Sequence, residues 1–157
     1  MKINLLYGHG DFLQSHLNIN PFSLEETESM KIGDIRNLDG WVDDAEATEI
    51  IAMDVIDYFS LAEVNPILDH WISKLRHGGK IVIGGCDALD AAKALSQYEL
   101  DLQTFNMLIH GTQDQPHLYK KTTLTLIGIV EYFREHGLKI IKQRKHGINY
   151  VVEAQRP

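Results

Sequence analysis

Two carboxylates, Asp54 and Asp57, follow directly on the apolar run Ile50, Ile51, Ala52, Met53, which is too short for a helix and suits a buried strand with a polar mouth. A carboxylate partly desolvated in a cleft has its pKa raised toward neutrality and can serve as a general base, which makes Asp54 a candidate for that role. Capping of the turn that follows is the competing use of both residues. The turn Gly8-His9-Gly10-Asp11 ends an apolar N-terminal run, and its glycines allow a tight strand-ending bend. It lacks both a Walker lysine and the full G-x-G-x-x-G of a dinucleotide site. A third polar group, His110, Gln113 and His117, lies between two apolar helical patterns. Neutral histidine works near pH 7 as a proton acceptor, but no third ligand accompanies the two histidines, so no metal is expected; ordinary loop residues are the other reading. The single cysteine, Cys86, has no activating partner in sequence and reads as a small buried hydrophobe.

The apolar pattern supplies the elements that must position these groups. Residues 2–7 read as a buried strand ending at the glycine turn, and residues 17–19 as a second strand only six residues later. Six residues cannot hold a crossover helix, so one sheet face is left thinly covered. Residues 21–29 read as a surface loop or short exposed helix, residues 31–35 as a short edge strand carrying Asp34, and residues 38–46 as a loop. Val64, Ile67, Leu68, Trp71, Ile72 and Leu75 recur at helical spacing, with Gly78 and Gly79 as the stop and residues 80–83 as the next buried strand. Strand, crossover helix and strand make a right-handed unit with parallel strands. Ser60 and Glu63 have capping-box spacing, while Asn65-Pro66 offers a second helix start.

Residues 88–98 and 100–109 read as helices. Residues 108–121 form a polar loop long enough to overhang the carboxyl ends of the strands, where open α/β sheets bind ligands. A last helix over residues 122–136 is capped by Gly137, and residues 138–143 and 148–154 flank a turn as a hairpin. The expectation is one α/β domain over residues 1–157, with a mostly parallel sheet and a C-terminal antiparallel hairpin.

The composition is that of an ordinary globular protein, 44% hydrophobic and 24% charged. A net charge of −7 disfavours a general electrostatic grip on nucleic acid, and the basic run 139–145 reads as a solvated strand face. One cysteine excludes an internal disulfide and a cysteine zinc cluster. No stretch has the length and apolarity of a membrane span or the order of a signal peptide, so a cytoplasmic location is expected. The thin sheet face suggests a homodimer.

The segment from Glu49 to Gly85, with its order E-I-x-A, V-x-D-x-F, E-V-x-x-I-L-x-x-W and G-G-K-I-x-I, resembles the fourth-to-fifth-strand region of compact class I S-adenosylmethionine (SAM) dependent methyltransferases linked to surface-glycan synthesis. Ile109, Gly111, Gln113, His117 and Lys120 match the order of that family's I-x-G-x-Q, histidine and basic loop motif. The resemblance covers nearly the whole chain and includes the abbreviated first connection. It implies a Rossmann-like methyltransferase sheet, SAM as cofactor, and transfer of a methyl group to a hydroxyl or amine of a small-molecule or carbohydrate acceptor. By the same resemblance Tyr7, Gly8 and Gly10 would approach the methionine part of SAM, Asn20 the ribose, and Asp34 with Ile35 the adenine, with Met53 beside them. Tyr58, His110 and Gln113 would meet the acceptor, and Asp54 or His117 would take its proton. The glycine motif is degenerate, since Leu6 and Tyr7 stand where the family has a glycine and a small residue, and Asn20 replaces an acidic residue. These departures fit an alternative, a catalytically degenerate module that binds a ligand or partner.

Overall fold

The computed structural model describes all residues, Met1–Pro157. Seven strands form one sheet: β1 (Lys2–Leu5), β2 (Leu17–Ile19), β3 (Met30–Lys31), β4 (Ala47–Met53), β5 (Leu75–Cys86), β6 (Lys139–His146) and β7 (Asn149–Gln155). Their order across the sheet is β3-β2-β1-β4-β5-β7-β6. The first five run parallel, while β7 lies antiparallel to both β5 and β6. This is the expected Rossmann-like sheet with its C-terminal hairpin. Between β1 and β4 the chain reverses its direction of travel across the sheet, and that switch point is where such sheets open a crevice.

Four helices accompany the sheet: α1 (Leu61–Lys74), α2 (Ala88–Ser96), α3 (Leu102–His110) and α4 (Leu126–Glu135). No helix is long and apolar enough to cross a membrane. Of the two possible starts for α1 the chain uses Ser60, whose N–H and hydroxyl donate to Glu63 Oε2 at 3.0 and 2.8 Å. Val64, Ile67, Leu68 and Trp71 face inward, and Trp71 Nε1 donates to the carbonyl of Ile35 at 2.8 Å. Ile129, Val130 and Phe133 of α4 join the same core. The hydroxyl of Tyr132 on α4 donates to the Asp69 carboxylate on α1, so the two helices are tied along one side of the core.

Several boundaries differ from the sequence reading. Helix α1 stops at Lys74, before the glycines, because Leu75 already pairs with Ala47 in the sheet. Gly78 and Gly79 instead form an irregularity inside β5, where Gly78 has φ +75° and a Cβ on Gly79 would lie 2.7 Å from the carbonyl oxygen of Ala47. The third strand is only two residues long, and Asp34 and Ile35 lie beyond it. Residues 122–124 remain outside α4, whose start is set by the Thr125 side chain accepting from Gly128 N. The hairpin strands extend through His146 and from Asn149, around Gly147 at φ +61°. The sheet ends on one side at two-residue β3 and on the other at β6, which bears Lys139, Lys142, Arg144 and Lys145.

The connection from β1 to β2 contains no helix, and buried asparagines hold it instead. Asn18 Oδ1 accepts from Asn4 Nδ2 at 2.7 Å and from Leu13 N at 3.0 Å, while Asn4 Nδ2 also reaches the carbonyl of Asp11. Asn18 Nδ2 lies 3.0 Å from the carbonyls of Leu13, His16 and Ser29. This network fixes the turn after β1. Ile51 and Met53 on that side of the sheet are only half-buried, as the short connection implies.

Candidate functional site

Gly8, with φ +78°, leaves β1 at the switch point, and its N–H donates to Asn20 Oδ1 at 2.9 Å. The same Asn20 oxygen accepts from Phe22 N, so Asn20 fastens the end of β2 to the end of β1. Tyr7 then turns into an aromatic cluster. Its ring stacks on Tyr58 at 5.2 Å and meets the edges of Phe22 and Phe59 at 4.9 and 5.3 Å. His9 Nδ1 lies 2.9 Å from the carbonyl of Tyr7 and Nε2 3.0 Å from that of Asp54, so its ring spans the mouths of β1 and β4. Burial of Tyr58, reinforced by Asp57 and Asp54, pushes its phenol up to about 12.

Beside this cluster lies a pocket of about 480 Å³ lined by Tyr7, Phe22, Phe59, Asp34, Arg36 and Lys121, with Pro21, Gly33 and Glu63 completing it. Arg36 holds Asp34 through Nε and Nη2 and Glu63 through Nη1, at 2.8–3.1 Å, so it joins the loop after β3 to the first turn of α1. The Arg36 hydrogen bonds keep the Asp34 carboxyl below the usual carboxylate range. Ile35 is fully buried and does not line this pocket: its carbonyl is bound by Trp71, which draws it into the core.

His117 sits on the glycine turn. Its ring stacks on Phe22 at 3.7 Å and 14°, and a Cβ built on Gly8 would collide with Nε2 and lie 2.9 Å from Cδ2. Met53 faces away from the aromatic pocket. With Leu6, Gly10 and Asp11 it lines a separate cavity of about 230 Å³. His110 and Gln113 also stand apart, in a hollow shared with Gln103 and Asn106. Asp54 is exposed at the end of β4 with φ +55°. The structure thus brings together Tyr7, Gly8, Asn20, Asp34, Tyr58 and His117, and separates Gly10, Met53, His110, Gln113 and the side chain of Ile35 from them.

By sequence Asp57 belongs to a polar strand mouth, with turn capping as the competing use; the structure buries it. Its side chain is 1% exposed, neither carboxylate oxygen has a hydrogen-bond partner, and Lys120 Nζ lies 3.6 Å from Oδ2. Burial, partly offset by Lys120, raises its pKa to about 6. The hydroxyl of Tyr150 is likewise buried and unpartnered, and both it and Asp57 Oδ2 flank Gly85. Arg36 and Phe22 were not singled out either; the Asp-x-Arg spacing of Asp34 and Arg36 was the available signal for the first. Phe22 offered only its place after Pro21.

No protein-family model matches the chain, and no curated protein matches it. Solved structures do. A SAM-dependent methyltransferase from Archaeoglobus fulgidus superposes with TM-score 0.68 at 10% identity, over 99% of this chain and 86% of that one. The fold is that of the class I SAM-dependent methyltransferases. A Burkholderia thailandensis N1-methyltransferase bound to 1,6-didemethyltoxoflavin and S-adenosylhomocysteine matches with TM-score 0.59 at 13% identity, over 98% of this chain and 70% of that one. An O-methyltransferase family protein from the same organism gives 0.56 at 16%, over 81% of this chain, which spans only 35% of that protein's length.

Against the ligand of that fold, the residues fit in one half. Three aromatic walls and a carboxylate at the rim suit a nucleoside, since a flat base needs apolar faces and an acceptor for its amino group. The amino-acid half meets His117 on Gly8, and the Gly8 amide is already spent on Asn20.

Proposed function

We propose that this protein is a SAM-dependent methyltransferase acting on a hydroxyl or amine of a small-molecule or carbohydrate acceptor. The observation that carries the reading is the aromatic pocket with Asp34 at its rim, placed at the carboxyl ends of β1 to β3 in a sheet of methyltransferase strand order. Tyr7, Phe22 and Phe59 would hold the base, and Asp34, both of whose oxygens already accept from Arg36, would share one of them with the amino group of the base. Asn20 Nδ2 would serve a ribose hydroxyl. SAM supplies an electrophilic methyl group when bound. Asp54 at the mouth of β4 is the residue we assign to taking the acceptor's proton, and Tyr58 borders that place. A homodimer, covering the half-buried face around Ile51 and Met53, belongs to the same proposal; light scattering that found only monomer at high concentration would remove it.

Calorimetric titration with S-adenosylhomocysteine tests the central claim. Saturable binding, weakened about tenfold or more in Asp34→Ala, is the expected result. No heat at high ligand concentration would favour the second reading, a methyltransferase-like module that has lost the reaction. That reading draws on one specific contact, the ring of His117 resting on Gly8.

A further inference from the structure

The segment after α3 folds back as a strap whose two ends are tied and whose middle reaches over the switch point. At the base, Lys120 N donates to the carbonyl of His110 at 3.0 Å and Gln113 N to that of Leu118 at 3.1 Å. Gly111, at φ +82°, sits so close to Leu118 that a Cβ there would collide with the Leu118 carbonyl. The return limb is fastened to the turn after β4, because Lys121 N and Thr122 N both donate to the carbonyl of Asp57, at 2.8 and 3.1 Å. Lys120 adds its own two contacts, donating to the carbonyl of Leu108 at 2.9 Å while facing the Asp57 carboxylate. Between these ties, residues 112–116 are exposed and His117 is inserted between Phe22 and Gly8, edge-on to Tyr7 at 6.0 Å.

We propose that His117 sets the length of ligand this site admits: with the strap down, the aromatic pocket takes a nucleoside bearing a short uncharged substituent, and His117 excludes an amino-acid arm. The inference rests on the reading of the pocket as a nucleoside site. Three observations carry it. The imidazole fills the space directly over the glycine turn, the one place where backbone without side chains would let an arm run from the pocket across the switch point. The first amide of the turn, that of Gly8, is already bonded to Asn20, and no helix follows the turn whose N-terminus could hold a carboxylate. The pocket itself stays open beside the plug, so a ligand confined to it needs no movement of the strap. A ligand carrying the arm binds only the form in which residues 112–119 have lifted, and its apparent affinity is reduced by the fraction of molecules in that form.

The test compares methylthioadenosine, which has no arm, with S-adenosylhomocysteine by calorimetry on the wild-type chain, His117→Ala and His117→Phe, with circular dichroism confirming that each variant folds. The wild type is expected to bind methylthioadenosine about tenfold more tightly than S-adenosylhomocysteine. His117→Ala should tighten S-adenosylhomocysteine by about tenfold and leave methylthioadenosine within about twofold, while His117→Phe, which keeps the bulk and the stack on Phe22, should behave as wild type. Equal binding of S-adenosylhomocysteine to wild type and His117→Ala overturns the plug and leaves the methyl-transfer reading standing. Weaker binding in His117→Ala also overturns it, by making the imidazole a ligand contact. Binding of methylthioadenosine with no S-adenosylhomocysteine binding in any of the three proteins overturns both the plug and the methyl-transfer reading, and no binding of either compound overturns the nucleoside pocket as well.

Discussion

The carboxylate of Asp57 lies 3.6 Å from Lys120 Nζ, buried and without a hydrogen bond to either oxygen. An ion pair of this kind recovers only part of what desolvation costs, which is why the acid form is favoured up to about pH 6 rather than 3.8. Between those two values the folded chain keeps a proton that the unfolded chain has released. Stability therefore falls as pH rises through that window and levels off above it. The loss across that window is ~3 kcal/mol. Asp57→Asn should flatten urea stability across the window, while the loss of the carboxylate beside Lys120 adds a cost that does not vary with pH above about 6. A slope that survived in the variant would assign the titration to another group.

Gly8 and His117 are coupled sterically. Gly8→Ala places a Cβ against the imidazole and forces alanine into φ +78°, at a cost of about 2–4 kcal/mol. Adding His117→Ala should recover the steric share but not the backbone share, giving a coupling of about 1 kcal/mol or more in a double-mutant cycle by denaturant unfolding. Additive effects would mean that the ring is not in contact with the turn in solution.

Asn18 is the hub of the helix-free connection. Asn18→Ala leaves Leu13 N and one Asn4 amide proton without their acceptor and should cost about 3 kcal/mol in urea unfolding. Amide exchange in residues 11–16 should accelerate more than in β4. A loss below ~1 kcal/mol would show that water replaces the side chain without penalty.

Arg36 is half exposed, so its ion pairs with Asp34 and Glu63 contribute under about 1 kcal/mol to folding. Its role in the pocket is to hold Asp34 in one orientation. Arg36→Ala should hardly move the melting temperature yet weaken methylthioadenosine by about tenfold. Unchanged binding would remove Asp34 from the nucleoside contact.

Periodicity made the frame legible. Ile50 to Met53, the Val64 to Trp71 face and the residues flanking Gly147 announced β4, α1 and the hairpin because burial on one face writes itself into spacing. What escaped depended on contacts between distant segments. Leu75 belongs by spacing to the helix, but Ala47 claims it for the sheet. Ile35 looked available to a ligand until Trp71 bound its carbonyl. Asp54 and Asp57 are equivalent in sequence, three residues apart at one strand end; the amides of Lys121 and Thr122, which hold the Asp57 backbone under the strap, coincide with the carboxylate that is buried. The glycine turn was visible, whereas the residue that covers it lies more than a hundred positions away.

The two borders of the sheet carry a consequence for self-association. β3 offers only two residues of unpaired backbone, and β6 presents Lys139, Lys142 and Arg144, with Lys145 held by Asp90, as a basic row that would face its like on any copy aligned with it. Growth by adding strand to strand, the route to fibrils, is closed at both borders, so crowding this protein should yield discrete particles that meet through their broad sides.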